Sequence, residues 1–375
     1  MNPVSPQDRR MPRDLFLMMI KHFYRKPPTM SKVYFKPITG KIKSCDVSPL
    51  ARELLETFLE REKIVLEKKI PLKLHFGERG NRTYLGPENF SGIIDYLKEH
   101  SIESCYMETS VLYGGERFNR EKHLKLAEDH GFTQLPVIIA DGAHGEEAVD
   151  VPVNLKHYRF CSIARELAEA PQTLVLSHFK GHMLAGFGGA LKQLSMGFAS
   201  KGGKMAMHIG IKPKIWNFLC KKCNLCVSRC ERKAITIGKH SFIDHEKCIG
   251  CGACFSICQH HAVSVLSLSS LWGTLFHRSH FREKLMEYAY AAHHGKKNIY
   301  MNFALSITAG CDCEPRPMIP CVENIGIFIS SDPVAVDTAC YDAVAAKGKS
   351  FKGVEQLAYA ESIKVGSRQY ELIEI

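Results

Sequence analysis

The chain has 375 residues, 45% of them hydrophobic and 24% charged, with 50 Lys/Arg against 39 Asp/Glu for a formal charge of +11. Its length predicts two or three domains, and fifteen cysteines in a chain this long do not make a small disulfide scaffold. No apolar run reaches the ~18–20 residues of a membrane span, and no recognition motif accompanies the basic charge, which argues against nucleic acid as a partner.

Residues 1–30 hold six Lys/Arg against two Asp and form a basic N-terminal extension. Leu15, Met18, Met19 and Phe23 recur at helical spacing, which suits an amphipathic surface helix. Met30-Ser31-Lys32 also has the look of a natural start. Arg9-Arg10 lacks the context of a twin-arginine signal, and no small-residue cleavage site follows. The cytoplasm is the expected location.

Residues 31–212 alternate strand-like and helix-like segments and form the first part of an α/β body. Residues 33–35 are extended, and 51–69 are amphipathic at helical period through Leu54, Leu55, Phe58, Ile64 and Leu66. Strands are expected at 71–76, 104–108, 137–141 and 173–177. Helices are expected at 87–100, with Pro at the start, at 120–130, closed by Gly131, and at 161–168. The alternation predicts a mostly parallel, doubly wound sheet.

The strand at 173–177 runs into Ser177-His178-Phe179-Lys180-Gly181-His182, then Gly186-Phe187-Gly188-Gly189 and a helix at 190–194. Ligands in open α/β sheets bind beyond the carboxyl ends of strands, and a glycine-rich turn opening a helix presents amides to an anion. Gly186, Gly188, Gly189 and Lys192 are the anion-binding candidates, and His178, Lys180 and His182 the catalytic ones. The alternative is that the glycines only let strand and helix pack closely. Glu108-Thr109, Asp141-Gly142 and His208, which follows an apolar stretch at 205–207 read as a strand, end such segments and would converge on the same edge.

Residues 213–265 contain two cysteine runs, Cys220, Cys223, Cys226 and Cys230, then Cys248, Cys251, Cys254 and Cys258. Each cysteine recurs 28 positions later, and Ala234-Ile235 recurs as Ala262-Val263, an internal duplication. Three cysteines two residues apart wrap one cubane, and in this motif the fourth cysteine of each run ligates the other cluster. A small α+β bacterial-ferredoxin-like domain with two [4Fe–4S] clusters is expected, one on Cys220, Cys223, Cys226 and Cys258, the other on Cys248, Cys251, Cys254 and Cys230. Zinc sites usually present cysteine pairs around a longer loop. The proline that normally follows the fourth cysteine is replaced by Glu231 and Gln259. Gly250 and Gly252 suit the second loop, where the first has Lys222 and Asn224. The segment carries eight Lys/Arg against three acids, which either balances the charge of two clusters or docks an acidic redox partner.

Residues 266–375 return to the α/β pattern as the second part of the body, with a helix at 280–294 and strands at 298–306 and 324–330. Ser331-Asp332-Pro333 opens a helix to about Lys347, with a capping side chain and Pro at the first position. Cys311-Asp312-Cys313 places both thiols on one side of an extended chain. Cys311 and Cys313 could share a metal with Cys321 or a histidine, or could be two reduced cysteines in a loop. Asp337 is a further site candidate.

Glu108-Thr109, Ser177-His178-Phe179-Lys180-Gly181-His182, Gly186-Phe187-Gly188-Gly189-Ala190-Leu191-Lys192, Cys311-Asp312-Cys313 and Ser331-Asp332-Pro333-Val334-Ala335-Val336-Asp337 together carry a resemblance. Over residues 31–375 the chain resembles the uncharacterised iron–sulfur-centre proteins built on domain of unknown function 362. The resemblance implies iron–sulfur binding and an inserted ferredoxin-type module, and it implies no substrate. The function expected is an iron–sulfur redox protein, relaying electrons between an unknown partner protein and a small-molecule site in the body. The alternatives are a non-enzymatic electron carrier or assembly factor, or clusters with a structural or oxidation-sensing role.

Overall fold

The structure is a computed structural model that describes residues 30–40, 42–209, 213–230, 232–248, 253–264 and 280–375. The expected N-terminal surface helix, Glu231, Gly250, Cys251 and Gly252 lie outside the described residues.

In chain order the elements are β1 (Ser31–Pro37), α1 (Ser44–Glu62), β2 (Lys69–Lys73), α2 (Ser91–Glu99), β3 (Glu103–Glu108), α3 (Arg120–Asp129), β4 (Val137–Ile139), β5 (Ala148–Pro152), β6 (Phe160–Ala164), α4 (Arg165–Glu169), β7 (Leu174–His178), β8 (Lys180–His182), β9 (Gly186–Gly188), α5 (Ala190–Phe198) and α6 (Lys201–Ile209). A small unit follows, with β10 (Lys214–Ile215), α7 (Leu225–Ser228), β11 (Ile235–Thr236), β12 (Phe242–Ile243), α8 (Ala253–Ile257) and β13 (Val263–Ser264). The chain then runs through α9 (Phe281–His293), β14 (Ile299–Ala304), β15 (Gly326–Ser330), α10 (Pro333–Ala346), α11 (Glu355–Ser362) and β16 (Tyr370–Glu374).

One sheet of order β16-β1-β15-β14-β7-β2-β3-β4 organises the body. All its pairings are parallel except the two made by β15. β14, β15 and β16, from the second half of the chain, therefore complete the sheet begun by the first half. From the centre, β2, β3 and β4 step outward one way, and β7 and β14 the other. The order reverses between β2 and β7, where an α/β sheet opens a crevice for ligands.

Both faces of the sheet are covered, so its central strands are buried throughout and read as continuous apolar runs. Their side chains alternate between two cores. Val175, Tyr300 and Ala304 face one, with Leu191, Leu194, Leu285, Val334 and Leu357 of α5, α9, α10 and α11. Leu174, Leu176, Met301 and Phe303 face the other, with Leu54, Leu55 and Phe58 of α1 and Ile93 and Leu97 of α2.

Three sequence expectations change. The first helix starts at Ser44 and stops at Glu62, because Lys63 turns left-handed at φ 53°. Ile64 and Leu66 still pack on the core, which is why the apolar period ran on. The segment expected as a helix at 161–168 begins as β6, paired with β5 along its whole length, and only α4 is helical. Residues 205–207, read as a strand, lie inside α6. Both errors concern short apolar runs, which carry no period of their own. β16 and α11 had no sequence expectation.

Asp332 caps α10 as expected, its Oδ1 accepting from the amides of Val334 at 2.8 Å and Ala335 at 3.0 Å. Its Oδ2 also accepts from Ser31 Oγ at 2.7 Å and from the Ser367 amide at 2.8 Å. One carboxylate thus joins β1, α10 and the approach to β16. Asp332→Ala should cost about 2–3 kcal/mol, measured as a shift of the urea midpoint. A loss no greater than an ordinary surface substitution would contradict this role.

Candidate functional site

The crevice beyond β7 and β2 is built by a tight hairpin and a cysteine loop. After His178 the chain turns into the β8–β9 hairpin, with Lys180 opposite Gly188 and His182 opposite Gly186. A Cβ at Gly181 would come 2.3 Å from the Ala309 carbonyl oxygen, and one at Gly186, whose φ is +93°, 1.8 Å from that of Lys352. These glycines seat the hairpin against neighbouring backbone, which is the packing reading the sequence left open.

The anion at the start of α5 comes from the chain itself. Asp337, buried on α10, accepts from the amides of Ala190 at 2.7 Å and Leu191 at 3.0 Å, and from Asn302 Nδ2 at 2.7 Å. A Cβ on Gly189 would lie 2.3 Å from the Asp337 carboxylate. Burial raises the Asp337 pKa to about 6, against the pull of its donors. Gly189 thus packs on an internal carboxylate, Gly188 on the Lys192 stem and Gly186 on the Lys352 backbone, and Lys192 alone of the anion candidates keeps a free cationic head. Its ammonium makes no hydrogen bond or ion pair among the described residues.

Beyond β14, Cys311-Asp312-Cys313 folds over the hairpin. Asp312, in the middle, turns inward. It accepts from Lys180 Nζ at 2.5 Å, and both its oxygens lie 3.1 Å from His178 Nδ1. His178 Nε2 donates to the Leu305 carbonyl at 2.7 Å. Both ring nitrogens of His178 are therefore engaged, and Lys180 is buried against a carboxylate. Burial works against the Lys180 charge, and Asp312 more than reverses it. These two predicted catalytic residues hold the cysteine loop in place.

With Asp312 turned inward, the two cysteines flank it and meet the third candidate, His182. Ligand-type atoms of His182, Cys311 and Cys313 all lie within 4.8 Å of one another. His182 Nδ1 accepts from the amides of Leu184 at 3.2 Å and Ala185 at 3.0 Å. Nδ1 is thus without a proton, and burial keeps the ring neutral. The proton of the neutral ring therefore sits on Nε2. The neighbouring Cys313, with Lys192 and His182, holds the Cys311 thiol well below its usual range despite burial. The Cys313 thiol is correspondingly raised.

These residues form part of the wall of a cavity of about 250 Å³, together with Glu108, Thr109, Arg117, Lys192, Lys204 and His208. Glu108, Thr109 and His208 converge there as the sequence suggested. Asp141 instead accepts from the Ser110 amide at 2.9 Å. Arg117 and Lys204 went unnoticed, since a lone basic residue in a loop or helix carries no signal. Arg117 is buried and donates to Glu78 at 3.1 Å, and Lys73 donates to Glu108 at 2.7 Å. Lys204 Nζ donates to Thr109 Oγ1 at 2.6 Å and to the Ala199 carbonyl at 2.8 Å, with no carboxylate in its ion-pair range. Burial lowers its pKa to about 8.

The small unit repeats itself at an offset of 28 residues. β10, α7 and β11 recur as β12, α8 and β13, and the halves exchange strands, β10 pairing with β13 and β11 with β12. Lys222 and Asn224 have φ of 56° and 61°, so the first loop takes the left-handed turns that glycine would favour. Lys233 and His261, also related by the repeat, have φ of 49° and 52°. One cavity is lined by Cys220, Cys223, Cys226 and Cys258. A second, of about 190 Å³, is lined by Cys230, Cys248 and Cys254. The amides of Ala234 and Ala262 donate to Cys230 Sγ at 3.2 Å and Cys258 Sγ at 3.3 Å. Cys311 and Cys313 lie apart from both cavities.

The second cavity backs on α6, where Gly202 lines it, while Lys204 and His208 line the 250 Å³ pocket. At ~100° per residue, Gly202 and the other two project from nearly opposite sides of the helix. A further cluster, His157, His280 and Glu283, lies at the surface, where Glu283 also pairs with Lys156 at 2.7 Å.

An α/β fold with a large, mostly parallel central sheet and many cysteines among ligand-type side chains defines a candidate metal-binding protein. The chain belongs to the family described as Domain of unknown function (DUF362), whose model matches residues 70–342. No curated protein matches it. Among solved structures it is similar to a protein of Thermotoga maritima determined by a structural genomics consortium, at 10% identity and a TM-score of 0.41, covering 84% of this chain and 61% of that one. It is also similar to the lactate racemase apoprotein from Thermoanaerobacterium thermosaccharolyticum, at 14% identity and a TM-score of 0.34, covering 73% and 51%. The chain thus spans less than two thirds of either. Among the described residues no helix is long and apolar enough to cross a membrane.

The Cys311 thiol should ionise at lower pH than an ordinary cysteine. Its alkylation by iodoacetamide, followed by peptide mass spectrometry, should rise less steeply between about pH 6 and pH 8 than the about tenfold per pH unit of an ordinary thiol. A steep rise with pH would contradict the arrangement. Asp337→Ala, which strands three donors, should cost about 3 kcal/mol in urea unfolding, and a loss below about 1 kcal/mol would show that water replaces the carboxylate.

Proposed function

We propose that this is an iron–sulfur redox protein. In this reading residues 213–265 form an inserted ferredoxin-like domain holding two [4Fe–4S] clusters, and the protein relays single electrons between a partner protein and the pocket at Cys311. Cys220, Cys223, Cys226 and Cys258 would hold one cluster, and Cys248, Cys251, Cys254 and Cys230 the other. The observation that carries the reading is the grouping of Cys258, from the second run, with the three leading cysteines of the first around one cavity, mirrored by Cys230 with Cys248 and Cys254 around another. The described donors fit the group, being thiols in one curled loop plus one from the facing half, with amide N–H groups aimed at sulfur.

When bound, such clusters supply one-electron transfer at potentials set by hydrogen bonds to sulfur and by exposure. The Ala234 and Ala262 amides donate to the sulfurs of Cys230 and Cys258, and Ser241 Oγ lies 3.7 Å from Cys220 Sγ. The left-handed Lys222 and Asn224 curl the first loop so that its cysteines face one centre. α6 separates the second cavity from the Cys311 pocket by a helix diameter of ~10–12 Å. Such a separation favours electron passage to the body over a purely structural role.

Protein purified without oxygen should contain about eight iron and eight acid-labile sulfide per chain and become EPR-active on reduction. Cys258→Ser should alter the signal of the cluster held by Cys220, Cys223 and Cys226, as Cys220→Ser does. Zinc in place of iron, or a Cys258 effect matching that of Cys251→Ser, would overturn the assignment.

A further inference from the structure

We propose that Cys311 and Cys313 are a redox-active dithiol that reduces a small anionic disulfide held in the Lys192–Lys204 pocket. For its supply of electrons this rests on the relay reading above. Three observations carry it. The first is the triad, whose ligand-type atoms fall within 4.8 Å of one another. The second is the tautomer of His182. A histidine that ligates a metal keeps one nitrogen bare for the ion and donates the other N–H to an acceptor. Here the bare nitrogen is the one that Leu184 and Ala185 already occupy, at 3.2 and 3.0 Å. The remaining nitrogen, Nε2, carries the proton of the neutral ring, so His182 is a hydrogen-bond donor and a poor metal ligand. The third is the lining of the pocket. Lys192 and Lys204 have no carboxylate partner among the described residues, while Val111, Leu112, Met196 and Phe281 supply apolar wall. A small molecule with carboxylates and an apolar stem fits such a lining.

The chemistry balances without a further group. The Cys311 thiolate attacks one sulfur of the bound disulfide, a Cys311–substrate disulfide forms, and one thiolate leaves. That leaving thiolate takes the Cys313 proton. The Cys313 sulfur then attacks Cys311, a Cys311–Cys313 disulfide forms, and the second thiolate leaves. The substrate gains two electrons and the pair loses two. Two electrons from a single-electron carrier of the ferredoxin class, with one proton, restore the Cys311 thiolate and the Cys313 thiol. The Cys311 and Cys313 sulfurs lie within 4.8 Å of each other. His182 and Lys192 stabilise the attacking thiolate, and Asp312 keeps both sulfurs on the pocket side.

The test uses the full chain purified anaerobically, with oxidised glutathione as the anionic probe and cystamine as its cationic counterpart. Peptide mass spectrometry should find the Cys311–Cys313 disulfide after oxidised glutathione, formed at least about tenfold faster than with cystamine. Cys313→Ser should trap a glutathionyl adduct on Cys311. Lys192→Gln should reduce the preference for the anionic probe several-fold, and because Lys192 is only partly buried this variant should keep the fold. Equal rates with the two probes, no disulfide, or no trapped adduct would overturn the proposal. So would one zinc ion that survives EDTA in the native chain and is lost in Cys311→Ser. If the disulfide forms as expected but is not reopened when the clusters are reduced with dithionite, the dithiol stands and the relay reading fails.

Discussion

The body depends on one buried carboxylate. Asp312 sits between two cysteines in a turn, not the extended segment the sequence suggested, which the Glu314 amide closes on the Cys311 carbonyl at 2.9 Å. Asp312 points inward to Lys180 and His178, while Cys311 and Cys313 line the pocket. The inward position would be costly for an unpaired charge. Lys180 at 2.5 Å and His178 at 3.1 Å compensate it, and both come from the end of β7 and the strand just beyond it. The pairing fixes the height of the loop above the sheet. Without it, His182 and the two thiols would have no reason to meet. A buried ion pair of this kind contributes little net stability compared with an apolar replacement, so its use here lies in orientation.

A second set of buried charges lies beneath the pocket floor. Lys73, on a central strand with no exposed surface, reaches Glu108 on the next strand, and Glu108 also faces Arg117, which holds Glu78. These residues occupy the crevice where strand order reverses. Glu108 and Arg117 line the pocket wall and are paired with residues behind it. Lys192 and Lys204 are the wall lysines without a carboxylate partner among the described residues.

Much of the fold was legible in the sequence. Alternating apolar segments gave the parallel sheet, Pro87 and Asp332 gave helix starts, and Gly131 a helix end, because these signals are local. The strand order was not legible, since nothing in β14 or β15 says whether they join the first half of the chain. The site was half legible. His182, Lys192, Cys311 and Cys313 stood out by type and context and do share a pocket. His178 and Lys180 stood out equally and serve the loop from below, because sequence shows which residues are polar and not which way they point. The glycine-rich turn was open to two readings, and the deciding residue, Asp337, lies 148 positions beyond Gly189. Lys204 and Arg117 carried no pattern at all. They matter only because α6 and the loop after β3 bring them to the same wall.

The exchange of strands in the small unit has a consequence for how such a module can travel. Lys214, in its first strand, is paired directly with Ser264 in its last. The way in and the way out are therefore side by side. A host loop can open, accept the whole unit and close again with almost no change in the span it must bridge, so the loop-closure entropy of the host scarcely rises. The duplicated halves complete each other's strand pairs, β10 with β13 and β11 with β12. Grafting of this kind needs only one pair of neighbouring backbone positions on the surface, and a scaffold acquires the module without surrendering any strand of its own.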